Sequence, residues 1–334
     1  MHFIGVLSLN MTILSIGLVF VYLDDLDRGW QGSPHDVKRL SALLNAVRDL
    51  ASECKGVCFR ISLRSDVYYL VRTSDESTDK IEGSVLWYAW TNHEILAMLA
   101  KRIEHFHDRQ HTTSDLVAMD QIKLARFLTP VMEDTFHGRG NWRNIPTYRM
   151  LMSLVRKRPR DIVKLCTLAA RNSRAKGKDI IGTDNFNDIF EEYSQGRLQD
   201  TVNEYRSELP DIERLLLGMK PSREEKKTAA GYIYTTDGLL SKIRNIQQNG
   251  AFKFYGGKTA DVKDLAAFLY KINFITARKE DGEFIQRRFF EESRYLSHKF
   301  VDFGFDWEVH PAYRWALQPD NVSEILDTLK ASAD

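Results

Sequence analysis

The sequence predicts a short α/β segment, then a mostly helical region, then a mixed α+β end. Two strand-like runs flanking a helical run predict the first part, and helical spacing from Thr91 onward predicts the second. Two strand-like runs after further helices predict the third. We therefore expect three domains, which span residues 1–90, 91–205 and 206–334.

The first strand-like run ends in two adjacent carboxylates. Residues 17–23 are mostly β-branched, aromatic or aliphatic, which is typical of a buried parallel strand, and Asp24 and Asp25 follow directly. α/β proteins bind ligands at the carboxyl ends of such strands. In P-loop ATPases the first acid of this Walker B pair holds Mg²⁺ and the second directs the attacking water. The pattern predicts Asp24 as a metal ligand and Asp25 as a catalytic acid; the alternative is an acidic strand-to-loop junction.

The next helix and strand complete a βαβ pattern. Apolar spacing predicts a helix over 36–51, and residues 57–63 predict a second strand, followed by Arg64 and Asp66. Arg64 is placed to sense a γ-phosphate beside the acid pair. A surface ion pair with Asp66, which contributes little stability, explains the same residue. Both interpretations stay open.

The middle region predicts helices and one functional arginine. Helices are expected over 94–106, 148–155, 160–174 and 184–193, the last capped by Thr183. Arg160 follows Pro159, which is ordinary chemistry for a helix start. An arginine on a helical lid also binds phosphate in a bidentate manner. The order of acid strand, second strand, helical lid and arginine favours Arg160 as a catalytic and nucleotide-binding residue.

The last third predicts a winged-helix-like region. Helices over 208–220, 237–247 and 261–272 precede two strands over 274–278 and 284–289. Its basic residues predict a DNA or protein partner; a solvated basic edge strand is the alternative. Those residues are Arg278, Lys279, Arg287 and Arg288.

Several classes of protein are disfavoured. A net charge of +1 gives no global electrostatic case for nucleic acid, and three cysteines without a second Cys/His pair give no zinc set. The apolar segment 3–23 is interrupted by polar residues and lacks a preceding basic region, so a membrane anchor is the weaker interpretation and we expect a cytoplasmic protein. Residues 256–259, Gly-Gly-Lys-Thr, lack the upstream glycine of a phosphate loop and predict a turn.

Together, residues 20–28 and 63–66 resemble bacterial P-loop ATPases of the STAND/KAP type, within them the FunZ-like family. The Arg-Pro-Arg-Asp segment at 158–161 and the His-Pro at 310–311 match the same family. The resemblance implies Mg²⁺ and ATP as cofactors, with Asp24, Asp25, Arg64 and Arg160 in the roles given above. It also implies an AAA-like lid and a winged-helix-like end.

The phosphate-binding loop of that family does not precede Asp24 in this sequence. We therefore expect a carboxyl-terminal fragment of an ATPase, inactive in isolation, that arises from a split gene, a late start or a decayed copy. In the split-gene case an upstream polypeptide supplies the phosphate loop. The alternative is a non-enzymatic winged-helix adaptor that binds DNA or a protein.

Overall fold

The computed structural model describes residues 18–109, 111–222, 224–225, 231–281, 284–297 and 304–318, together with residues 325 and 329. The chain divides into two compact units, Met1–Trp87 and Tyr88–Asp334. The helical region and the C-terminal sheet therefore fall in the same unit.

The elements are numbered in chain order. The strands are β1 (Val19–Leu23), β2 (Val57–Ile61), β3 (Thr135–His137), β4 (Arg143–Pro146), β5 (Ile233–Tyr234), β6 (Ile275–Asp281), β7 (Phe284–Arg288) and β8 (Asp306–Val309). The helices are α1 (Pro34–Glu53), α2 (Ser65–Ser74), α3 (Asn92–Phe106), α4 (Thr113–Val117), α5 (Gln121–Arg126), α6 (Thr147–Ser153), α7 (Pro159–Ala175), α8 (Thr183–Tyr205), α9 (Ile212–Gly218), α10 (Thr236–Gln247), α11 (Val262–Lys271) and α12 (Arg314–Leu317). Short 3₁₀ turns lie at Glu76–Ser84, Gly140–Trp142, Arg294–Ser297 and Pro311–Tyr313.

The first unit contains a parallel βαβ arrangement. β1 and β2 pair in parallel from Val19 opposite Val57 to Leu23 opposite Ile61, and α1 connects them. Ser33 caps α1 in a reciprocal capping box with Asp36, which fixes where the helix begins. The buried side of α1 packs with Trp30 and with α2 around a small apolar core. The strand–helix–strand order is the one that the sequence predicts.

One face of the β1–β2 sheet is exposed. Phe20 and Tyr22 are 46% and 74% exposed, and the Arg60 guanidinium lies 5.6 Å from the Phe20 ring centroid. Parallel strands normally have both faces covered by helices. Within the residues that the structure describes, nothing buries this face.

The apolar segment 3–23 enters the described structure only at its end. Its last five residues form β1 rather than a helix, and residues 1–17 lie outside the described part of the chain. Among the residues described, no helix has the length and apolar character needed to cross a bilayer.

The second unit is built around α7 and α8. α8 begins after Gly182 and continues to Tyr205, so the expected cap at Thr183 and the expected end at 193 are both wrong. The Thr183 hydroxyl instead accepts the His137 backbone N–H at 2.9 Å. The helix extends because its buried side continues through Val202 and Tyr205.

The C-terminal sheet has the strand order β5-β8-β6-β7, all antiparallel. β6 and β7 form the predicted hairpin, with Ala277 opposite Arg288. α9 is shorter than the predicted 208–220 because Pro210 has no backbone N–H and disfavours helical geometry in Leu209.

A buried carboxylate joins α7, α8 and the C-terminal segment. Asp161 accepts hydrogen bonds from Arg156 at 2.8 and 3.0 Å and from Arg197 at 2.7 Å. Arg156 also donates to the Thr201 hydroxyl at 2.9 Å and to the Tyr313 hydroxyl at 2.6 Å. The basic residues within 156–160 therefore do not form a continuous basic surface, because Arg156 is buried within the unit.

A second buried carboxylate organises the C-terminal sheet. Glu308 on β8 accepts two hydrogen bonds from Arg287, at 2.8 and 3.2 Å, and another from Arg314. Arg278 lies 3.9 Å from the same carboxylate. Burial raises the pKa of Glu308, but these arginines offset the effect and lower it to about 2.

The burial of these arginines corrects the expected basic wing. Arg278 and Arg287 are 4% and 8% exposed, so neither is available to a phosphate, while Lys279 is exposed and Arg288 half-buried. Successive residues of a strand point to opposite faces of the sheet. Arg278 and Arg287 share the buried face that carries Glu308, whose carboxylate compensates their positive charge.

We expect Asp161→Asn to lower the free energy of unfolding by about 3–5 kcal/mol, because it leaves Arg156 and Arg197 buried without a carboxylate. Asp200→Asn is the matched control: it removes an Arg197 partner that is 52% exposed, and the loss should stay below about 1 kcal/mol. Urea unfolding measures both. An equal loss of unfolding free energy in the two variants would contradict the central role of Asp161.

We also expect the stability of the second unit to fall in acid. The pKa of Glu308 is about 2 when folded against an ordinary value of 4.5, so its stabilising contribution is complete above about pH 5 and is lost as the pH falls from 4.5 towards 2. Asp161 acts in the same direction, since its pKa is also lowered. Unfolding free energies at a series of pH values should show a shallower acid slope in Glu308→Gln; an unchanged slope would exclude Glu308 as the source.

Candidate functional site

The ends of β1 and β2 bring Asp24 and Ser62 together. Leu23 pairs with Ile61, so the next residue of each strand lies at the same carboxyl edge of the sheet. The Ser62 hydroxyl donates a hydrogen bond to the Asp24 carboxylate, and the Asp25 backbone N–H donates another at 2.9 Å. These two bonds, the one from Ser62 first, lower the pKa of Asp24. The carboxylate is therefore ionised and exposed at neutral pH.

Asp25 has an unusual backbone conformation. Its φ angle is +56°, in the left-handed region that residues other than glycine seldom adopt. Its carbonyl accepts the Arg28 N–H at 3.1 Å, which closes a turn directly after the strand. The turn leaves the Asp25 side chain exposed beside Asp24. Strained residues of this kind cluster in functional loops, which supports a functional interpretation of the pair.

Arg64 is already engaged by carboxylates. Its Nε and one terminal nitrogen donate to Asp66 at 3.1 and 2.6 Å, and Asp27 lies 3.6 Å away. The pair with Asp66 is the alternative that the sequence left open. Through its contact with Asp27, Arg64 links the loop after β1 to the start of α2 and so holds this edge of the sheet together. Its sensor role stays a prediction.

Arg160 lies in the second unit, at the second residue of α7. It is exposed and makes no ion pair with any residue that the structure describes. A cation in the first turn of a helix is opposed by the helix dipole, so Arg160 is not explained by the stability of α7. Its neighbours differ: Arg158 pairs with Glu204 at 2.8 Å, and Asp161 is buried. The nucleotide-binding role of Arg160 stays a prediction.

Ser62 is the site residue that sequence reasoning missed. The expected second strand ended at residue 63, which placed Arg64 beside the acids. The strand ends two residues earlier, at Ile61, so the polar side chain opposite Asp24 belongs to Ser62. The local sequence gives no clear signal for this strand end, because Arg60 already interrupts the apolar run before Ser62.

The Gly-Gly-Lys-Thr segment forms a turn and not a phosphate cradle. Gly256 and Gly257 have φ angles of +88° and +84°, and the Gly257 N–H bonds to the Phe254 carbonyl. Lys258 pairs with Asp264 at 3.1 Å.

Within the described residues, no group of three His, Cys, Asp or Glu side chains is placed to hold a metal ion. The role of Asp24 as a metal ligand stays a prediction.

Two comparisons relate the chain to other proteins. Residues 93–202 match the family model of the FunZ-associated C-terminal helical domain, which supports the resemblance to FunZ-like proteins over α3 to α8. The chain is also 23% identical over 328 residues to the putative transposon gamma-delta 80.3 kDa protein of Escherichia coli (strain K12). That match covers 92% of this chain and 42% of the relative, so the chain spans less than half the length of that protein. No solved structure matches the chain.

We expect Ser62→Ala to raise the pKa of Asp24, because the alanine removes the hydrogen bond that favours the ionised carboxylate. Ser62→Thr keeps the hydroxyl and should preserve the low value. NMR titration of the side-chain carboxyl carbon measures the shift. A pKa of Asp24 unaffected by the alanine would show that Ser62 does not support the acid.

Proposed function

We propose that residues 18–87 are part of the nucleotide-binding core of a Mg²⁺-dependent ATPase. The observation that carries the proposal is the parallel β1–β2 register, which sets an ionised, exposed Asp24 beside Ser62 at the carboxyl edge of the sheet. The left-handed conformation of Asp25 at the same edge supports it. α/β sheets bind ligands at this position.

In this proposal each residue has one task. Asp24 is a magnesium ligand, and Ser62 orients its carboxylate by a hydrogen bond. Asp25 directs the attacking water, and Arg64 senses the γ-phosphate once it exchanges Asp66 for a phosphate oxygen. The nucleotide-binding role of Arg160, which lies in the second unit, is a separate part of the proposal and rests on its exposed guanidinium group.

The side chains at this edge fit magnesium. Mg²⁺ binds carboxylate oxygens, commonly through one or two protein ligands, with phosphate oxygens and water completing its shell. An exposed carboxylate with a lowered pKa meets that requirement. Bound Mg²⁺ would neutralise charge on the transferred phosphoryl group.

The rest of the core comes, in this proposal, from a polypeptide that carries the phosphate-binding loop. The exposed sheet face with Phe20 and Tyr22 is what such a polypeptide would cover, since parallel sheets are covered on both faces. The transposon relative is longer than the matched region, which covers 42% of it.

The C-terminal region belongs to the proposal as a winged-helix-like domain. The order α9, β5, α10, α11 and the β6–β7 hairpin supports this assignment. α11 buries Leu265, Phe268 and Leu269, and its half-buried Lys271 pairs with Glu208. Few side chains of α11 remain for reading a DNA groove, which favours a packing role for this helix.

The test combines the chain with the polypeptide encoded directly upstream of it. We expect the chain alone to show no ATP hydrolysis and the complex to hydrolyse ATP. Asp25→Asn should reduce hydrolysis at least about 100-fold while ATP binding persists, because the carboxylate directs the water rather than the nucleotide. Phosphate release and calorimetry measure the two properties.

The matched control is Asp49→Asn, an exposed α1 carboxylate paired only with the neighbouring Arg48, which should leave the rate unchanged. Hydrolysis by the complex that survives Asp25→Asn would overturn the ATPase proposal. Hydrolysis by the chain alone, lost in Asp25→Asn, would instead overturn the requirement for a second polypeptide.

A further inference from the structure

The β3–β4 hairpin in the second unit presents two exposed arginines. Residues 135–146, which form the two strands and their turn, contain no Asp or Glu, whereas they include Arg139 and Arg143. We call residues 137–144, the turn with its flanking strand ends, the basic hairpin.

The basic hairpin is anchored to the core by aromatic side chains. Trp142 is fully buried, and its ring lies edge-on to Phe136, with 6.1 Å between the centroids. Phe136 in turn contacts Phe186 and Phe190 of α8 at 6.4 and 6.0 Å. The turn is thus held on a rigid helix.

The turn itself is tightly specified. A Cβ atom at Gly138 would lie 2.4 Å from the Phe136 ring and 2.9 Å from the Trp142 carbonyl oxygen, so only glycine fits. The Trp142 N–H donates to the Arg139 carbonyl at 3.0 Å. Asn144, with φ +58°, places its side-chain oxygen 2.7 Å from His137 Nδ1. Both arginine backbones are therefore held in place.

The two arginines flank the turn. His137 lies directly opposite Arg143, and Arg139 begins the turn two residues after His137. Arg139 and Arg143 are exposed, and their guanidinium groups bond to no residue that the structure describes. By contrast, Arg156 and Arg287 are fully paired with carboxylates.

We propose that the basic hairpin binds the phosphate backbone of a nucleic acid. Apart from the buried Trp142, residues 137–144 are polar or glycine, so the turn lacks the apolar anchors that protein interfaces need. Arginine guanidinium groups match phosphate oxygens in a bidentate manner. A nucleic acid presents phosphates at short, regular spacing to two arginines on one rigid turn.

The test is the salt dependence of binding to a labelled 20-base-pair duplex, measured with the full chain by fluorescence anisotropy. Between 50 and 200 mM salt, the slope of log affinity against log salt should become shallower by about 2 in Arg139→Ala/Arg143→Ala, since two phosphate contacts are lost. Arg139→Lys/Arg143→Lys keeps both charges and should restore the slope. Both sites are exposed, so circular dichroism should show an intact fold.

The matched control is Arg102→Ala/Arg244→Ala, two exposed arginines on α3 and α10, which should keep the wild-type slope. An equal change in this control, or no duplex binding by the wild-type chain at 50 mM salt, would overturn the proposal. Displacement of the duplex by millimolar inorganic phosphate at constant ionic strength would also overturn it, in favour of a small phosphate ligand. Binding of an acidic polypeptide in place of DNA would assign the surface to a protein.

Discussion

The second unit depends on the contact between Asp161 and Arg156. The carboxylate receives three side-chain N–H groups from Arg156 and Arg197, and Arg156 also donates to Thr201 and Tyr313. A buried ion pair offsets the cost of losing water only when its remaining polar groups are bonded as well. One guanidinium therefore fixes the start of α7, the C-terminal part of α8 and the turn before α12 at once. A shift of any one of them would leave a buried N–H group of Arg156 without its partner.

Glu308 repeats the same arrangement in the C-terminal sheet. In both clusters a single buried acid faces more than one arginine, and exposed acids at the rim offset part of the surplus positive charge, Asp200 for Arg197 and Glu280 for Arg278. Solvent stays close to the surplus charge, which lowers the cost of burying it. The two clusters lie in one compact unit, and Tyr313 and Arg314 are adjacent members of them. The helical region and the sheet are thus joined through charge as well as through apolar packing.

The local elements follow from the sequence better than the long-range contacts do. The apolar runs predict β1, α1 and β2, because each depends on neighbours a few positions away. The local sequence does not predict that Arg156 and Arg287 are buried. Their partners Tyr313 and Glu308 lie far along the chain, so no local pattern indicates these contacts. The prediction of the candidate site missed one residue: the expected end of β2 at residue 63 instead of Ile61 left out Ser62, which hydrogen-bonds to Asp24. Which side chains meet at the site depends on the register of β1 and β2, and local sequence patterns specify register poorly.

The exposed face of β1 links the stability of the first unit to its proposed chemistry. Fully burying a phenylalanine side chain contributes about 1.5–3 kcal/mol, so covering the exposed 46% of Phe20 contributes part of that, and a two-stranded sheet is marginal without such cover. The polypeptide that covers this face in our proposal also brings the phosphate-binding loop. Folding of the sheet and completion of the nucleotide site would then be one event, because the same contacts supply both. Asp24 and Asp25 would be held in place before the nucleotide arrives, and the phosphate-binding groups would arrive with the partner.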